Sequence, residues 1–306
     1  MKILVTGGAG FIGSHVVDLF LKDGHDVTIL DNLSTGKREN VPKGVRLIEM
    51  DVTDPAVDRV FAEGRFDVVN HHAAQIDVRK SVSDPLYDAS VNILGSLNLL
   101  ECCLRHGVKK FQFASTGGAL YGEQDYFPAD EEHPVRPLSP YGICKFTVER
   151  YLFYYYEVHG LEYAAHRYAN VYGPRQNPHG EAGVVAIFCD RLIGGKQAII
   201  NGDGKQTRDY VYVEDVARAN LLTLDKPINC ALNIGTSIET DVNEIFQILN
   251  RAGKFNAPEV HAPAKKGEQM RSVINWSKAH ELLGWEPKMK LDEGLKRTLE
   301  FFQKQR

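Results

Sequence analysis

Tyr141 and Lys145 stand four residues apart in the stretch "SPYGICK", directly after Pro140. Residues four apart share one face of a helix, and a proline suits the first helical turn, where its missing N–H is not needed. A phenol ionises at a pKa of about 10, and an ammonium one turn away favours the phenolate. A phenolate near neutral pH can take a proton from an alcohol while a hydride leaves the same carbon. A hydroxyl at a strand end would complete such a site, and Ser115 and Thr116 are available. The competing reading is a surface helix with an ordinary tyrosine and lysine, because Y-x-x-x-K recurs by chance.

The elements that would position this pair start at the N-terminus. "KILV" (2–5) is a short buried-strand run. It leads into "TGGAGFIGSHVVDLFLKDGH", which contains Gly8-x-Gly10-x-x-Gly13 and also Gly7-x-x-Gly10-x-x-Gly13. Phe11, Ile12, Val16, Leu19 and Phe20 then recur at helical spacing, and "DVTIL" ends in Asp31. Glycines permit a tight turn and close backbone approach, and a helix N-terminus offers free N–H groups to a pyrophosphate. Asp31, 18 residues after Gly13, is placed to accept from ribose hydroxyls, and its charge opposes a 2′-phosphate. The pattern therefore predicts NAD rather than NADP.

Strand and helix patterns keep alternating. Strands are expected at 45–51, 66–74, 109–116 and 162–169, and helices at 90–107 and 141–160. This predicts an α/β protein: a Rossmann-type doubly wound parallel sheet with ligands at the carboxyl ends of its strands. After residue 170 the character changes, although "CALNIGT" (230–236) reads as one more strand of the first sheet. The expected organisation is an NAD-binding domain at 1–170 plus roughly 212–237. A smaller, interleaved α/β substrate domain would take 171–211 and 238–306.

Composition narrows the function. The 306 residues carry a formal net charge of −4 with no basic run, which argues against nucleic acid and against an electrostatic membrane anchor. No apolar run approaches the roughly 20 residues that span a bilayer, and Thr6, Gly7 and Gly8 break the N-terminal apolar run too early for a signal peptide. The five cysteines form no C-x-x-C, which points to a reduced cytoplasmic setting. No H-E-x-x-H or G-x-S-x-G is present, so neither a metal site nor a hydrolase nucleophile is expected. The aromatic run "YLFYYYE" (151–157) reads as helix packing and a subunit interface.

Together "TGGAGFIGSH", "DNLSTG", "HHAAQIDVRKSVSDP", "SPYGICK", "RYANVYGPRQ", "GDGKQTRDYVYVEDVA", "NIGT" and "SKAHELLGWEP" resemble the extended short-chain dehydrogenase/reductase group, and within it the UDP-galactose 4-epimerases. The resemblance covers essentially the whole chain. It implies a UDP-sugar substrate whose C4 is inverted through a 4-keto sugar, with NAD taking and returning the hydride. Tyr141, Lys145 and Thr116 would be catalytic. The cofactor would meet Gly7, Gly10, Phe11, Ile12, Gly13, Asp31, Asn32, Asp51, Val52, Ala73, Ala74, Gln75 and Asn92, with Tyr141 and Lys145. Asn170, Arg208, Lys265 and Ser272 would bind the sugar nucleotide, the small Ser272 leaving room for an N-acetyl group. A homodimer through helices around 90–107 and 141–158 is implied as well.

Three departures stand out. Counting back from Tyr121, the family's Ser/Thr position is Gly117; counting forward along the strand, it is Thr116. Lys265 replaces the family's arginine and loses its bidentate geometry, for which Arg271 could compensate. Gly117 and Gly118 follow Thr116 where related dehydratases and decarboxylases carry an acid, which argues against both. The rivals are another sugar-nucleotide epimerase or reductase, such as one acting on a uronic acid, and a non-catalytic NAD-binding regulator. For Arg208 the alternative is a structural ion pair with an acid such as Asp209.

Overall fold

Short runs of Ile, Leu, Val and Phe between turn residues become buried parallel strands. The computed structural model describes residues 1–179, 183–264 and 269–305. Its main sheet contains β1 (Lys2–Thr6), β2 (Asp26–Asp31), β3 (Arg46–Glu49), β4 (Val68–His71), β5 (Lys110–Thr116), β6 (Glu162–Tyr168) and, much later in the chain, β10 (Cys230–Ile234). The order is β10-β6-β5-β4-β1-β2-β3, and every pairing is parallel. The chain leaves β1 toward β2 and β3, then crosses back to β4. The switch point is therefore the crevice between β1 and β4, where such sheets bind ligands.

Alternation along the strands feeds two cores. Leu4 faces a layer built with Phe61, Leu99, Leu100, Val148 and Leu152 from α2 (Val57–Gly64), α5 (Gly95–His106) and α6 (Pro140–His159). Ile3 and Val5 face the opposite layer, with Val16, Val17 and Phe20 of α1 (Phe11–Lys22) and Ala217 of α8 (Val213–Leu222). Between β4 and α5 lie α3 (Val78–Ser83) and α4 (Pro85–Ala89). The helix expected at 90–107 begins as a π turn, Ser90–Leu94, before α5 continues it to a left-handed Gly107. Periodicity does not distinguish these two windings.

The remaining elements build a second layer beside the strand ends. β7 (Asn170–Tyr172), β11 (Glu239–Asp241) and β13 (Arg271–Ser272) all pair with β9 (Thr207–Tyr212), while β8 (Ile199–Asn201) pairs with β12 (Val260–Ala262). α7 (Val184–Ile193), α9 (Val242–Gly253) and α11 (Leu291–Lys304) bury Phe188, Phe246 and Leu295 in one cluster. Finally α10 (Ser277–Leu283) ends at Gly284, and Trp285 tucks under α8, its Nε1 donating to the Asp215 carbonyl at 2.9 Å.

Candidate active site

The glycine turn after β1 is shaped for close backbone approach. Gly7 has φ +68°, and a side chain there would run into the backbone of His72 and Ala73 at the end of β4. A side chain on Gly13 would overlap the Gly7 carbonyl, so the third glycine lets α1 seat on the turn. α1 begins at Gly10 with no side-chain cap, which leaves the first-turn N–H groups, including those of Phe11 and Ile12, to another acceptor. Asp31, buried at the end of β2, accepts from Ala9 N at 3.0 Å and Leu33 N at 2.8 Å. Each of its oxygens keeps a lone pair beyond those bonds.

Two further groups extend this edge. Asn32 donates to Asp51 at 2.7 Å, and Asp51 also accepts from Thr53 N and Oγ1. Partial burial raises the Asp51 carboxyl, but the bonds from Thr53 and Asn32 outweigh it and hold the group below the usual carboxylate range. Val52 is buried against Gly95. Across the crevice, Ala73 N donates to Thr6 Oγ1 at 3.3 Å and opens the loop Ala73–Ala74–Gln75. Asn92, in the π turn, spends both ends of its amide on the Gln75 backbone at 3.0 and 2.9 Å. Its part is to fix this loop.

The Tyr–Lys pair opens α6 as its spacing predicts. Ser139 caps the helix by accepting from Gly142 N at 3.1 Å, with Pro140 in the first turn. A Cβ on Gly142 would stand 2.6 Å from the Ala119 carbonyl oxygen, so glycine lets α6 dock on the turn after β5. Lys145 is buried, and its Nζ donates to the Ala114 carbonyl of β5 at 2.8 Å and lies 4.6 Å from the centre of the Phe113 ring. Burial lowers this ammonium to about 8, against the raising influence of Asp88, Cys144 and Glu149. The Tyr141 phenol departs from the expectation of a lowered pKa: burial, and then the Asp88 carboxylate, push it upward. Lys145 Nζ stands 5.8 Å from the Tyr141 ring centre, and desolvation dominates.

Strand alternation separates the two candidate hydroxyls. Ser115 turns inward and donates to Glu149 at 2.5 Å, so it is spent on the core. Thr116 closes β5; its Oγ1 accepts from Ala119 N at 3.1 Å and retains its own proton to donate. Gly117 continues the ladder, its N–H donating to the Tyr168 carbonyl at 2.7 Å.

Beyond the end of β5, a small recess brings together Gly117, Gly118, Asn170, Asp209 and Ser272. Ser272 is buried and paired in register with Arg208. Arg208 makes no ion pair with Asp209: among the described residues its guanidinium bonds only its neighbour's carbonyl, that of Thr207, at 2.8 Å. Asp209 points to the other face and is occupied by Thr236 and Ser237. Arg271 is committed to Glu239 at 3.0 Å and stacks on Phe127, so it is not placed as a free substitute for the missing arginine. Lys265 lies outside the described residues.

The sequence model of the NAD dependent epimerase/dehydratase family matches residues 3–235, the span that holds the glycine turn, the Tyr–Lys pair and Arg208. The chain belongs to this family. It is 48% identical over 97% of its length to a protein of Methanocaldococcus jannaschii named putative UDP-glucose 4-epimerase, 97% of which is covered. The crystal structure of UDP-glucose 4-epimerase with UDP-glucose from Thermotoga maritima superposes with a TM-score of 0.98 at 50% identity, covering 100% of this chain and 99% of that one. The crystal structure of the Thermus thermophilus UDP-glucose 4-epimerase complex with NAD gives 0.94 at 46%, covering 99% of each.

Two residues near the Tyr–Lys pair escaped sequence reasoning. Glu149 continues the four-residue stripe of Tyr141 and Lys145 and grips Arg167 of β6 at 2.7 Å, with Arg167 reaching Tyr121 at 2.9 Å. The stripe itself was the available signal. Asp88, fully buried on α4, gave no signal beyond its four-residue spacing from Asn92.

Proposed function

We propose that the protein is a UDP-hexose 4-epimerase that interconverts UDP-glucose and UDP-galactose with tightly held NAD. The observation that carries this reading is the Tyr141–Lys145 pair, anchored by Lys145 to β5 beside Thr116, in a chain alike over its whole length to UDP-glucose 4-epimerases. The uncapped start of α1 and the glycine positions that side chains would fill fit a dinucleotide pyrophosphate. When bound, NAD supplies the hydride acceptor that takes hydrogen from C4 and returns it.

The chain's own residues do the rest. Gly7, Gly10, Phe11, Ile12 and Gly13 receive the pyrophosphate, Asp31 and Asn32 the adenosine ribose, and Asp51 and Val52 the adenine edge. Ala73, Ala74 and Gln75, held by Asn92, close the crevice. Tyr141 takes the C4-hydroxyl proton and gives it back after the 4-keto sugar has turned over, Thr116 holds the C4 oxygen, and Lys145 supplies a cation to the pair. A positive nicotinamide ring, when bound, would oppose the upward shift of the Tyr141 phenol. Asn170 and Arg208 hold the diphosphate with Lys265, and Ser272 leaves room for an N-acetyl group. Residues 1–170 with 212–237 thus serve NAD, and 171–211 with 238–306 serve the sugar nucleotide. The protein works as a homodimer through α5 and α6, in the cytoplasm, in keeping with its five unpaired cysteines.

The test is incubation of the purified protein with UDP-galactose and no added NAD. Appearance of UDP-glucose without net NADH is expected, and Tyr141→Phe is expected to lower the rate by about 10²–10⁴-fold. A Tyr141→Phe protein of full activity would refute the mechanism. Conversion of UDP-glucuronate but not UDP-galactose would move the substrate to the uronic acids.

A further inference from the structure

Asp88 is a buried carboxylate that the reaction as described does not use. It lies on α4, which packs against α6, and none of it is exposed. One oxygen, Oδ1, accepts from Gln75 Nε2 at 2.8 Å and from Asn92 Nδ2 at 3.0 Å. The other, Oδ2, has no nitrogen or oxygen donor among the described residues, and the Cys144 thiol beside the carboxylate is only a weak donor. Burying an ionised carboxylate is costly unless a cation compensates it.

Among the described residues, the groups facing this region leave one candidate cation. On α6, the Glu149 carboxylate is already paired with Arg167 at 2.7 Å. The Cys144 thiol, beside Asp88, is pushed up to about 12 by burial and then by Asp88, so it stays protonated. On β4, burial keeps His71 well below its usual value and takes His72 to about 3, so both are neutral. Tyr141 is held protonated by burial and by Asp88. On α3, Lys80 lies over the Tyr87 ring, and Arg79 is mostly exposed, 3.8 Å from Asp77. Lys145 remains: a buried ammonium on the facing helix, whose hydrogen bond among the described residues is to the Ala114 carbonyl, with Asp88 acting on it through space rather than by a close ion pair.

We propose that Asp88 is a positioning residue for the Tyr141–Lys145 pair, its carboxylate serving Lys145 as the buried counter-charge that keeps that side chain an ammonium. Through Gln75 and Asn92 the same carboxylate is tied to the loop after β4, so one group links the charge of the pair to the cofactor crevice. The proposal rests on the epimerase reading only for the role of Tyr141 and Lys145.

Asp88→Asn tests it, because the amide oxygen can keep both bonds from Gln75 and Asn92 while the charge is lost. In the protein without added substrate, labelled with ¹³C at the lysine ε-carbons, the Lys145 titration midpoint is expected to fall by about one unit. A negative neighbour favours the protonated form of both phenol and ammonium. Both limbs of the pH–rate profile for UDP-galactose should therefore move to lower pH by a similar amount. A Lys145 midpoint and pH limbs that stay in place, with the rate reduced equally at every pH, would overturn the proposal and leave Asp88 a structural acceptor. A wild type that converts no UDP-galactose, with Asp88→Asn still lowering the Lys145 midpoint, would instead refute the epimerase reading and keep the charge pairing. Should Asp88→Asn not fold, the Asp88 carboxyl carbon of the wild type reports the same pairing. It is expected to shift as Lys145 loses its proton near pH 8, and an unmoved signal overturns the proposal.

Discussion

At the scale of single residues, neighbours on one strand have opposite surroundings. Arg208 and Asp209 are adjacent in "TRDY", and strand alternation sends them to opposite faces. Asp209 is nearly fully buried and accepts from Thr236 N, Thr236 Oγ1 and Ser237 N at 2.6–3.1 Å. Burial nonetheless raises its carboxyl to about 6, against those bonds. The sign follows: the folded pKa lies above the unfolded one, so Asp209 contributes stability below the unfolded pKa and loses it as pH rises through about 6. In Asp209→Asn the amide NH₂ meets donors, at a cost of about 1–3 kcal/mol at pH 7. The wild type should gain a further 2–3 kcal/mol or so over this variant as pH falls from about 7 to about 4. Denaturant midpoints of both proteins across that range check this, and a constant difference would exclude it. The candidate residues were legible in where they sit: Tyr141 and Lys145 open one helix face and Asp31 ends β2, as type, spacing and neighbouring glycines predict. Asp209 and Asp88 were not, because their meaning lies in partners 27 residues away or on a facing helix.

At the scale of elements, the site is as good as the start of α6. Three features fix that start: the Ser139 cap, Pro140, and the close seating of Gly142 on the Ala119 carbonyl. Removing the cap frees a buried N–H and lets the first turn, which carries Tyr141, loosen. Ser139→Ala should therefore cost about 1 kcal/mol of stability. It should also lower kcat more than that loss of folded protein explains, because Tyr141 is displaced while Lys145, one turn on, stays bonded to Ala114. Thermal melts combined with steady-state rates on UDP-galactose separate the two effects; a rate that falls only with the folded fraction would exclude the positional one. Much of this level was legible. The strands of the sheet follow the expected runs, β1 extending one residue past its own to Thr6, because buried parallel strands read as short apolar stretches between turns. The π turn at Ser90–Leu94 was not: it carries Asn92, whose amide bonds the Gln75 backbone, a tertiary contact with no periodic trace.

At the scale of the molecule, α6 has two working faces. Tyr141, Lys145 and Glu149 turn toward the sheet. Ile143, Tyr151, Tyr154 and Val158 form a second stripe at spacings of three, four and eight residues, exposed by 51%, 37%, 47% and 60%. Beside it, α5 is joined through the bond between Tyr155 and Glu101, and Leu94 adds another exposed apolar group at 60%. Exposed apolar groups gathered on paired helices are what an association surface would require. Two such strips meeting about a twofold axis would form an isologous four-helix contact. In that arrangement one substitution enters the interface twice. Tyr154→Asp should thus weaken association by about 100-fold or more, since it buries two carboxylates where two rings packed. Sedimentation velocity at micromolar protein is expected to give a wild-type species of twice 34.3 kDa and a Tyr154→Asp species at the single-chain mass. A wild type that sediments at 34.3 kDa would remove the dimer from this account. If Tyr154→Asp is monomeric, its rate on UDP-galactose measures how far the partner braces the helix that carries the chemistry: full activity would make α6 self-sufficient, and a lowered kcat with an unchanged KM would place the bracing in the alignment of Tyr141.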